Sequence, residues 1–540
     1  MTRSKNGVVL GLNAYSHDAG AVLFVDGRLV FAAEEERYDR RKHSAAFPRG
    51  AIHAALRFAG LAAHDVDRVV FCWRRDMAAG RKLGYVLRGL PRTWPFLVER
   101  PEGLPGRVGY LQAVRSLPRD LRATGITAPI AYVPHHRAHA AQAYRFGAHD
   151  AADILVADGM GEWDTTTAWD GAAGALTQRM ARVYPDSLGK FYSAVTQWLG
   201  FRPESGEGKT MGLAPYGTDR LVEAMRALPP LDFTRGRTRM AGPAFEAAFG
   251  PPRGRDEPIE QRHKDVARAA QRFLEESILA LLPPPRTPHL ALAGGIFLNC
   301  VLNGRLVREA GYESLFVFPA AGDAGAAAGA VAEWLELPPT PLPHAYWGEE
   351  PGEAAFGERV DDPVAVAADA LAGGAIVGWC AGRMEFGPRA LGARSILADA
   401  RLPDIRDRIN RTVKFREDFR PFAPAVLREE ADTWFEGVVD SPHMLLTFPV
   451  RAERRAAVPG IVHVDGSARV QTVGRDDGHA AFRALLEAFH ARTGVPLLLN
   501  TSFNVRGEPI VRTADEARAV FERSALDLLV VGDRVLRKPA

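Results

Sequence analysis

The sequence predicts an α/β protein of two domains, on three observations. Apolar strand-like runs alternate with helical periodicity along most of the chain. The segment Leu337-Pro-Pro-Thr-Pro-Leu-Pro-His344 breaks that alternation with a proline-rich seam of the kind that links domains. At 540 residues the chain exceeds what one hydrophobic core usually serves. A first domain over 1–345 and a second over 346–540 are therefore expected.

The first domain opens as a meander. Val8–Leu12 and Ala21–Val25 read as strands, Asp26-Gly27 as a hairpin turn and Leu29–Ala33 as the return strand. Pro48 fits the first turn of a helix that carries Ile52, Leu56 and Ala59 on one face and closes at Gly60. Further strands are expected at Val69–Cys72, Ile130–Val133, Ile154–Ala157, Leu290–Ala293 and Leu315–Phe318, with helices at Val266–Leu282 and Ala324–Leu335. The stretch near 80–125 is basic, rich in Gly and Pro and poorly periodic, and reads as an insertion at an acceptor site. Past the seam, Ala375–Trp379 and Leu526–Val531 read as buried strands, Ile405–Arg411 and Ala480–Ala491 as helices.

Apolar residues make up 47% and charged residues 25%, which excludes a largely disordered chain. With 68 basic against 65 acidic residues the formal charge is +3, too small an excess to predict nucleic-acid or membrane binding. Three widely separated cysteines argue against a disulfide framework and a Cys-only zinc site. No apolar run approaches the roughly 18 residues of a membrane span, and Val8–Leu12 is too short for a signal sequence. A cytoplasmic protein is expected.

Val133-Pro-His135-His136-Arg-Ala-His139 follows a strand and enters a helical stretch. His135 and His139, four apart, share a helical face, as two metal ligands must. Alone, that spacing is equally what ordinary core histidines produce. Asp158 ends an apolar strand, where open α/β sheets place their chemistry, and Asp323 sits at a Gly-rich strand-to-helix turn. Each by itself reads as a turn residue or a helix cap. Grouped, two imidazoles and two carboxylates make an N/O site suited to iron, manganese or zinc.

Several loops combine glycine with a strand end: Gly11-Leu-Asn13 through His17-Asp18, Asp158-Gly-Met-Gly161, Ala293-Gly294-Gly295-Ile-Phe-Leu-Asn299 and Gly322-Asp-Ala-Gly325. The last precedes a helix whose first N–H groups can meet an anion. Glu207-Gly-Lys209 adds a lysine, in a chain with only eight, but no P-loop is present. Together these loops resemble the phosphate and adenosine loops of the actin-like ATPase and sugar-kinase fold.

In the second domain, Gly382 to Ser395 packs Arg383, Arg389 and Arg394 among glycines after a buried strand. Lys414, Arg416 and Arg420 follow in one motif, and Ser467-Ala-Arg469-Val-Gln-Thr472 and Leu499-Asn-Thr-Ser-Phe-Asn504-Val-Arg506-Gly507 complete the set. Guanidinium groups bind phosphate oxygens two at a time, and neighbouring hydroxyls and amides fill the remaining acceptors. A solvated arginine face is the competing reading. The interleaved Phe, Gly and Pro favour a pocket.

Together, the Gly-x-Asn and His17-Asp18 loop, His135-His-x-x-His139, Gly206-Glu-Gly-Lys209-x-Met-Gly-Leu-Ala-Pro-Tyr-Gly217 and the long second-domain motifs resemble the O-carbamoyltransferases of antibiotic and nodulation-factor biosynthesis, over nearly the whole length. The resemblance implies an actin-like ATPase-type first domain and a second domain similar to threonylcarbamoyl-adenylate synthases. It implies that carbamoyl phosphate and ATP, with Mg2+, form carbamoyl-adenylate in the second domain, and that the first passes the carbamoyl group to a hydroxyl of a natural-product acceptor. His135, His139, Asp158 and Asp323 would hold a divalent metal, iron first, with manganese and zinc as alternatives. Arg389, Lys414, Arg420, Arg469, Asn504 and Arg506 would hold carbamoyl phosphate and ATP. Lys209, Gly294, Gly295, Asn299 and Gly322 would receive the adenylate, and His17, Asp18 and Lys42 would serve the transfer. No nucleic acid or membrane partner is implied, and a homodimer stays open. Two other readings are a small-molecule kinase or ATPase of the actin-like fold, with a regulatory second domain, and a non-catalytic nucleotide-binding module.

Overall fold

The computed structural model describes residues 7–91, 93, 107–228, 243–282 and 284–538. The described chain divides into two compact units. One takes the residues up to Glu35 and then His43–Leu342, and the other takes Glu36–Lys42 together with the chain from Pro343. Lys42, expected beside His17 and Asp18, thus groups with the second unit.

The first unit is built on two five-stranded sheets. In the first, β1 (Val8–Asn13), β2 (Gly20–Val25) and β3 (Arg28–Glu34) form the expected meander, followed by β4 (Arg68–Phe71) and β5 (Ile130–Tyr132). β1 pairs antiparallel with β2 and parallel with β4, giving the order β3-β2-β1-β4-β5. The second sheet repeats this plan with β6 (Ala151–Ala157), β7 (Asp164–Ala172), β8 (Ala175–Val183), β9 (His289–Ala293) and β10 (Ser314–Val317). Read from β8, its order is β8-β7-β6-β9-β10, and β6 again pairs antiparallel with a hairpin and parallel with the next strand. Two such halves make the actin-like, sugar-kinase-type fold.

Both hairpins close on two residues in the left-handed region, Asp26-Gly27 in one and Ala173-Gly174 in the other. That conformation matches the right-handed twist of the flanking strands. The sequence signals only the first of them, because alanine is no turn residue and β8 is largely exposed and polar. The stretch near 80–125, expected to lack periodicity, contains helices at Ala79–Gly89 and Arg107–Arg122; residues 92 and 94–106 lie outside the described part.

Two helices set the site. His135–Arg145 and Asp323–Trp334, the second built mostly of Ala and Gly, pack with their backbones close. A Cβ on Gly329 would lie 2.1 Å from the Ala138 carbonyl oxygen, so only glycine permits that approach. Glu333 fastens the pair through Arg137 and Arg145. The first turns of both helices, with their ligand-type side chains, meet as a result.

The second unit is α/β around a nine-stranded mixed sheet. Its strands are β11 (Glu358–Arg359), β12 (Val377–Cys380), β13 (Arg394–Ala398), β14 (Ala423–Leu427), β15 (Leu446–Pro449), β16 (Ser467–Val473), β17 (Leu497–Ser502), β18 (Leu528–Val531) and β19 (Arg534–Arg537). Their order is β11-β19-β18-β12-β13-β17-β14-β16-β15. The motifs at 382–395, 414–424, 467–472 and 499–507 therefore sit on or beside four adjacent strands, β13, β17, β14 and β16. The segment Glu36–Lys42 is tied in by Arg37 to the Gly387 carbonyl (2.9 Å) and by Arg40 to the carbonyls of Pro509 and Ile510 (3.0 and 2.7 Å).

Candidate active sites

In the first unit His135, His139, Asp158 and Asp323 converge, none more than 6% exposed. The Nε2 atoms of the two histidines lie 3.1 Å apart. His135 Nε2 is 3.4 Å from both Asp158 Oδ2 and Asp323 Oδ1, and His139 Nε2 is 3.9 and 3.7 Å from the same oxygens. The Trp73 ring stacks on His135 at 3.6 Å, and Glu162 accepts from the His135 backbone N–H at the helix start.

The surroundings fix the tautomers. His135 Nδ1 faces the Cys72 carbonyl (3.1 Å), and His139 Nδ1 faces Gln142 Oε1 (2.9 Å), whose amide nitrogen donates to the Ala320 carbonyl. Both Nδ1 atoms must therefore donate, which leaves both Nε2 atoms with bare lone pairs. Two lone pairs 3.1 Å apart repel, and they face two carboxylate oxygens, one of which, Asp323 Oδ1, is buried with no donor. Four acceptors around one point fit a divalent cation held by nitrogen and oxygen.

Beside this centre, Asn13 organises the loop that carries His17 and Asp18. Its amide nitrogen donates to both of their carbonyls, at 3.2 and 3.0 Å, and its oxygen accepts from Trp73 Nε1. Asp18 Oδ2 lies 3.0 Å from His17 Nδ1, and His17 Nε2 is 3.9 Å from Asp323 Oδ2. Burial lowers His17, but the charges of Asp323, Asp18 and Glu204 outweigh it and raise it well above the ordinary imidazole value.

The expected nucleotide loops meet the same centre in part. Gly294, at φ +102°, passes so close to β6 that a Cβ would sit 2.2 Å from the Ala157 carbonyl oxygen, and a Cβ on Gly295 would lie 3.1 Å from Asp158 Oδ1. Gly322 immediately precedes Asp323 at the helix start. Asn299 instead caps the helix Cys300–Glu309 through Leu302 N–H and exchanges hydrogen bonds with Gln271, so its amide is engaged within the scaffold. Lys209 lies on the helix Glu207–Leu213 with its ammonium 5.4 Å from the Phe201 ring centre.

In the second unit the cations gather. Lys414 is buried, and its ammonium donates to the Ser502 carbonyl, to the Asn504 carbonyl (3.0 Å) and to Asn504 Oδ1 (2.8 Å). Burial, then Arg416, Arg420 and Lys42, hold it well below the ordinary amine value. Arg416 is lowered by burial, Arg420 and Arg469; Arg420 is lowered by burial, Arg469 and Arg506, against Glu417. Lys42 is lowered by burial and by Arg420, Arg37 and Arg389, with Glu36 opposing. The Arg469 Nε is buried without a hydrogen-bond partner. Mutual repulsion of this kind is what a bound polyanion relieves.

Not every motif arginine belongs to that cluster. Arg394 donates to the carbonyls of Gly382, Glu349, Ala393 and Arg512, and Arg383 to those of Trp347 and Gly348, so both hold loops. Arg416 was not singled out from its motif; it grips Asn410 Oδ1 at 2.8 Å and lies 4.5 Å from the Phe422 ring centre. In the first unit the sequence reading passed over Trp73, Glu162, Gln142, His43 and the Lys190–Glu204 pair at 3.4 Å. Of these, Glu204 and His43 have left-handed backbones, at φ +64° and +56°.

Residues 8–332 match the carbamoyltransferase N-terminus family and residues 368–538 the carbamoyltransferase C-terminus family. An uncharacterised protein of Synechocystis is 37% identical, over 98% of this chain and 97% of its own. The nodulation protein NolNO of Sinorhizobium fredii is 36% identical, over 97% and 80%. The 3'-hydroxymethylcephem-O-carbamoyltransferase of Amycolatopsis lactamdurans is 31% identical, over 71% and 79%. Among the described residues no helix is long and apolar enough to cross a membrane.

Proposed function

We propose, from the premise that this chain belongs to the carbamoyltransferase family, that it works in two half-reactions joined by carbamoyl-adenylate. The enzyme is a carbamoyltransferase. The observation that carries the two-step reading is the presence of two chemically opposite sites, a convergence of four lone-pair ligands in one unit and a cluster of cations in the other.

In the first half-reaction, water releases carbamate from carbamoyl phosphate with loss of inorganic phosphate. A carbamate oxygen then attacks the α-phosphorus of ATP, bound with Mg2+, and pyrophosphate departs. Lys42, Arg389, Lys414, Arg416, Arg420, Arg469 and Arg506 would hold these anions and offset charge on the leaving group. Asn504 would keep Lys414 aimed, since it takes two of the ammonium's hydrogen bonds.

In the second, the acceptor's hydroxyl oxygen attacks the carbamoyl carbon, the bond to the phosphate oxygen breaks and AMP leaves. His135, His139, Asp158 and Asp323 fit a divalent metal, which when bound supplies Lewis acidity and offsets the Asp323 charge that raises His17. His17, oriented through Nδ1 by Asp18, presents Nε2 to take the hydroxyl proton. Gly295, whose Cβ would lie 3.1 Å from Asp158 Oδ1, keeps a side chain away from that centre, and the loops of Gly294 and Gly322 would border the adenylate. The cephem relative makes a hydroxymethyl group the first acceptor type to try.

The test supplies ATP, carbamoyl phosphate and hydroxylamine as surrogate acceptor. AMP, pyrophosphate and inorganic phosphate are expected in equal amounts. ADP without pyrophosphate would instead establish a kinase or ATPase. His139→Ala is expected to keep first-turnover pyrophosphate release and to lose carbamoyl transfer; equal loss of both in a folded variant contradicts the division.

A further inference from the structure

We propose that His43 is a positioning residue of the transfer step, the outer member of a His43–Asp18–His17 chain that fixes the imidazole receiving the acceptor's proton. The inference rests on the transfer role given above to His17. The Asp18 carboxylate is held at both oxygens, Oδ1 by His43 Nδ1 at 2.8 Å and Oδ2 by His17 Nδ1 at 3.0 Å. Rotating the carboxylate would break both contacts, so each imidazole locks the orientation presented to the other.

The backbone is tied as well. The Asp18 carbonyl accepts from Asn13, and the Ala19 N–H donates to the Ser44 carbonyl at 2.8 Å, which docks the loop carrying His43 on the loop carrying Asp18. Asp18 and His43 both adopt left-handed backbones, at φ +57° and +56°. Non-glycine residues are uncommon in that region, and aspartate and histidine enter it more readily than most. His43 thus reaches, from 25 residues away and through a left-handed turn, the carboxylate that orients His17.

In the step concerned, the acceptor's nucleophilic atom bonds to the carbamoyl carbon, AMP leaves with the electrons of the broken C–O bond, and the proton passes to His17 Nε2. His43 touches none of the reacting atoms. Its loss frees Asp18 to turn, and His17 with it.

The test compares His43→Ala and His43→Asn by formation of carbamoylated hydroxylamine, with His17→Ala beside them. The amide nitrogen of asparagine can stand where Nδ1 stood. His43→Ala is expected to lower kcat about 10- to 100-fold, the usual effect of removing an outer hydrogen-bond partner, with KM for hydroxylamine unchanged. His43→Asn is expected to recover most of the loss, and the first-turnover pyrophosphate burst should match wild type in both. Wild-type kcat in His43→Ala, or equal loss in both variants at wild-type Tm, overturns the role of His43. Wild-type transfer by His17→Ala overturns the underlying reading of the transfer site, a separate outcome.

Discussion

Removing one charge from the four-ligand centre should change stability in opposite directions with and without metal, and Asp323→Asn is the perturbation. The ligand atoms of His135, His139, Asp158 and Asp323 all lie within 4.8 Å of one another. Two carboxylate charges at that distance repel by about 3.5 kcal/mol at an effective dielectric constant of 20. Stripped wild-type protein bears that repulsion in full only above the pH at which His135 and His17, both raised by the Asp323 charge, have lost their protons. As pH falls, His135 takes up a proton, because the nearby carboxylates, Asp323 first, raise it against the opposing effect of burial. A histidine raised in the folded state binds more protons there than in the unfolded chain, so stripped protein should lose stability as pH rises through that value. The assay is thermal melting of wild type and Asp323→Asn, chelated over a pH series that passes above the raised His135 and His17 values, and reloaded with Fe2+, Mn2+ or Zn2+. At the alkaline end of the series chelated Asp323→Asn should melt several degrees above chelated wild type, and the order should reverse on reloading. Chelated Asp323→Asn melting below chelated wild type at that end, or no metal effect on wild type, would refute the reasoning.

The second unit gives a companion prediction. Arg416→Ala and Arg420→Ala each remove a charge-assisted contact of about 1.5–3 kcal/mol, so KM for carbamoyl phosphate or ATP should rise roughly 10- to 150-fold in acceptor-free pyrophosphate release; Arg394→Ala should fail by unfolding, read as a lowered Tm, because its guanidinium holds four carbonyls. At the loop behind Asp158, Gly294→Ala must adopt a φ of +102° and place a methyl 2.2 Å from the Ala157 carbonyl, so it should lower both Tm and metal content; a variant with wild-type metal stoichiometry would show that the close approach is dispensable.

How far the fold could be read from sequence depended on how much of its local chemistry is written in residue types. Asp26-Gly27 announces its hairpin, and the apolar runs at β1, β6 and β9 announce buried strands. The second hairpin was missed because Ala173-Gly174 lacks a turn signature and β8 buries only Leu176, leaving no alternation to read. The helix Arg107–Arg122 was missed for a related reason: Gly109 and Pro118 lower its helical signal, and contacts such as Tyr15 to Asp120 (2.7 Å) supply what local propensity does not.

The candidate sites divide along another line. The grouping of the four residues was legible, because two imidazoles a turn apart and two carboxylates in segments that follow strands are rare together. What would suit those residues to a metal was not, since the tautomers depend on a backbone carbonyl at Cys72 and on Gln142, and a carbonyl has no letter in the sequence. The same blindness explains the arginines. Arg383, Arg389 and Arg394 look alike in one motif, yet Arg383 and Arg394 saturate themselves on carbonyls while the charge of Arg389 bears on Lys42. An arginine can serve a ligand only if the surrounding backbone leaves its donors unsatisfied, and that depends on where the loops run. Burial together with charge repulsion is therefore the better guide: burial and neighbouring cations lower Lys414, Arg416, Arg420 and Lys42, whereas Arg483, paired with Glu429 and Glu487, is raised. A cationic group that the fold lowers, in a cluster where cations outnumber carboxylates, is the better candidate to hold an anion than one already paired with carboxylates.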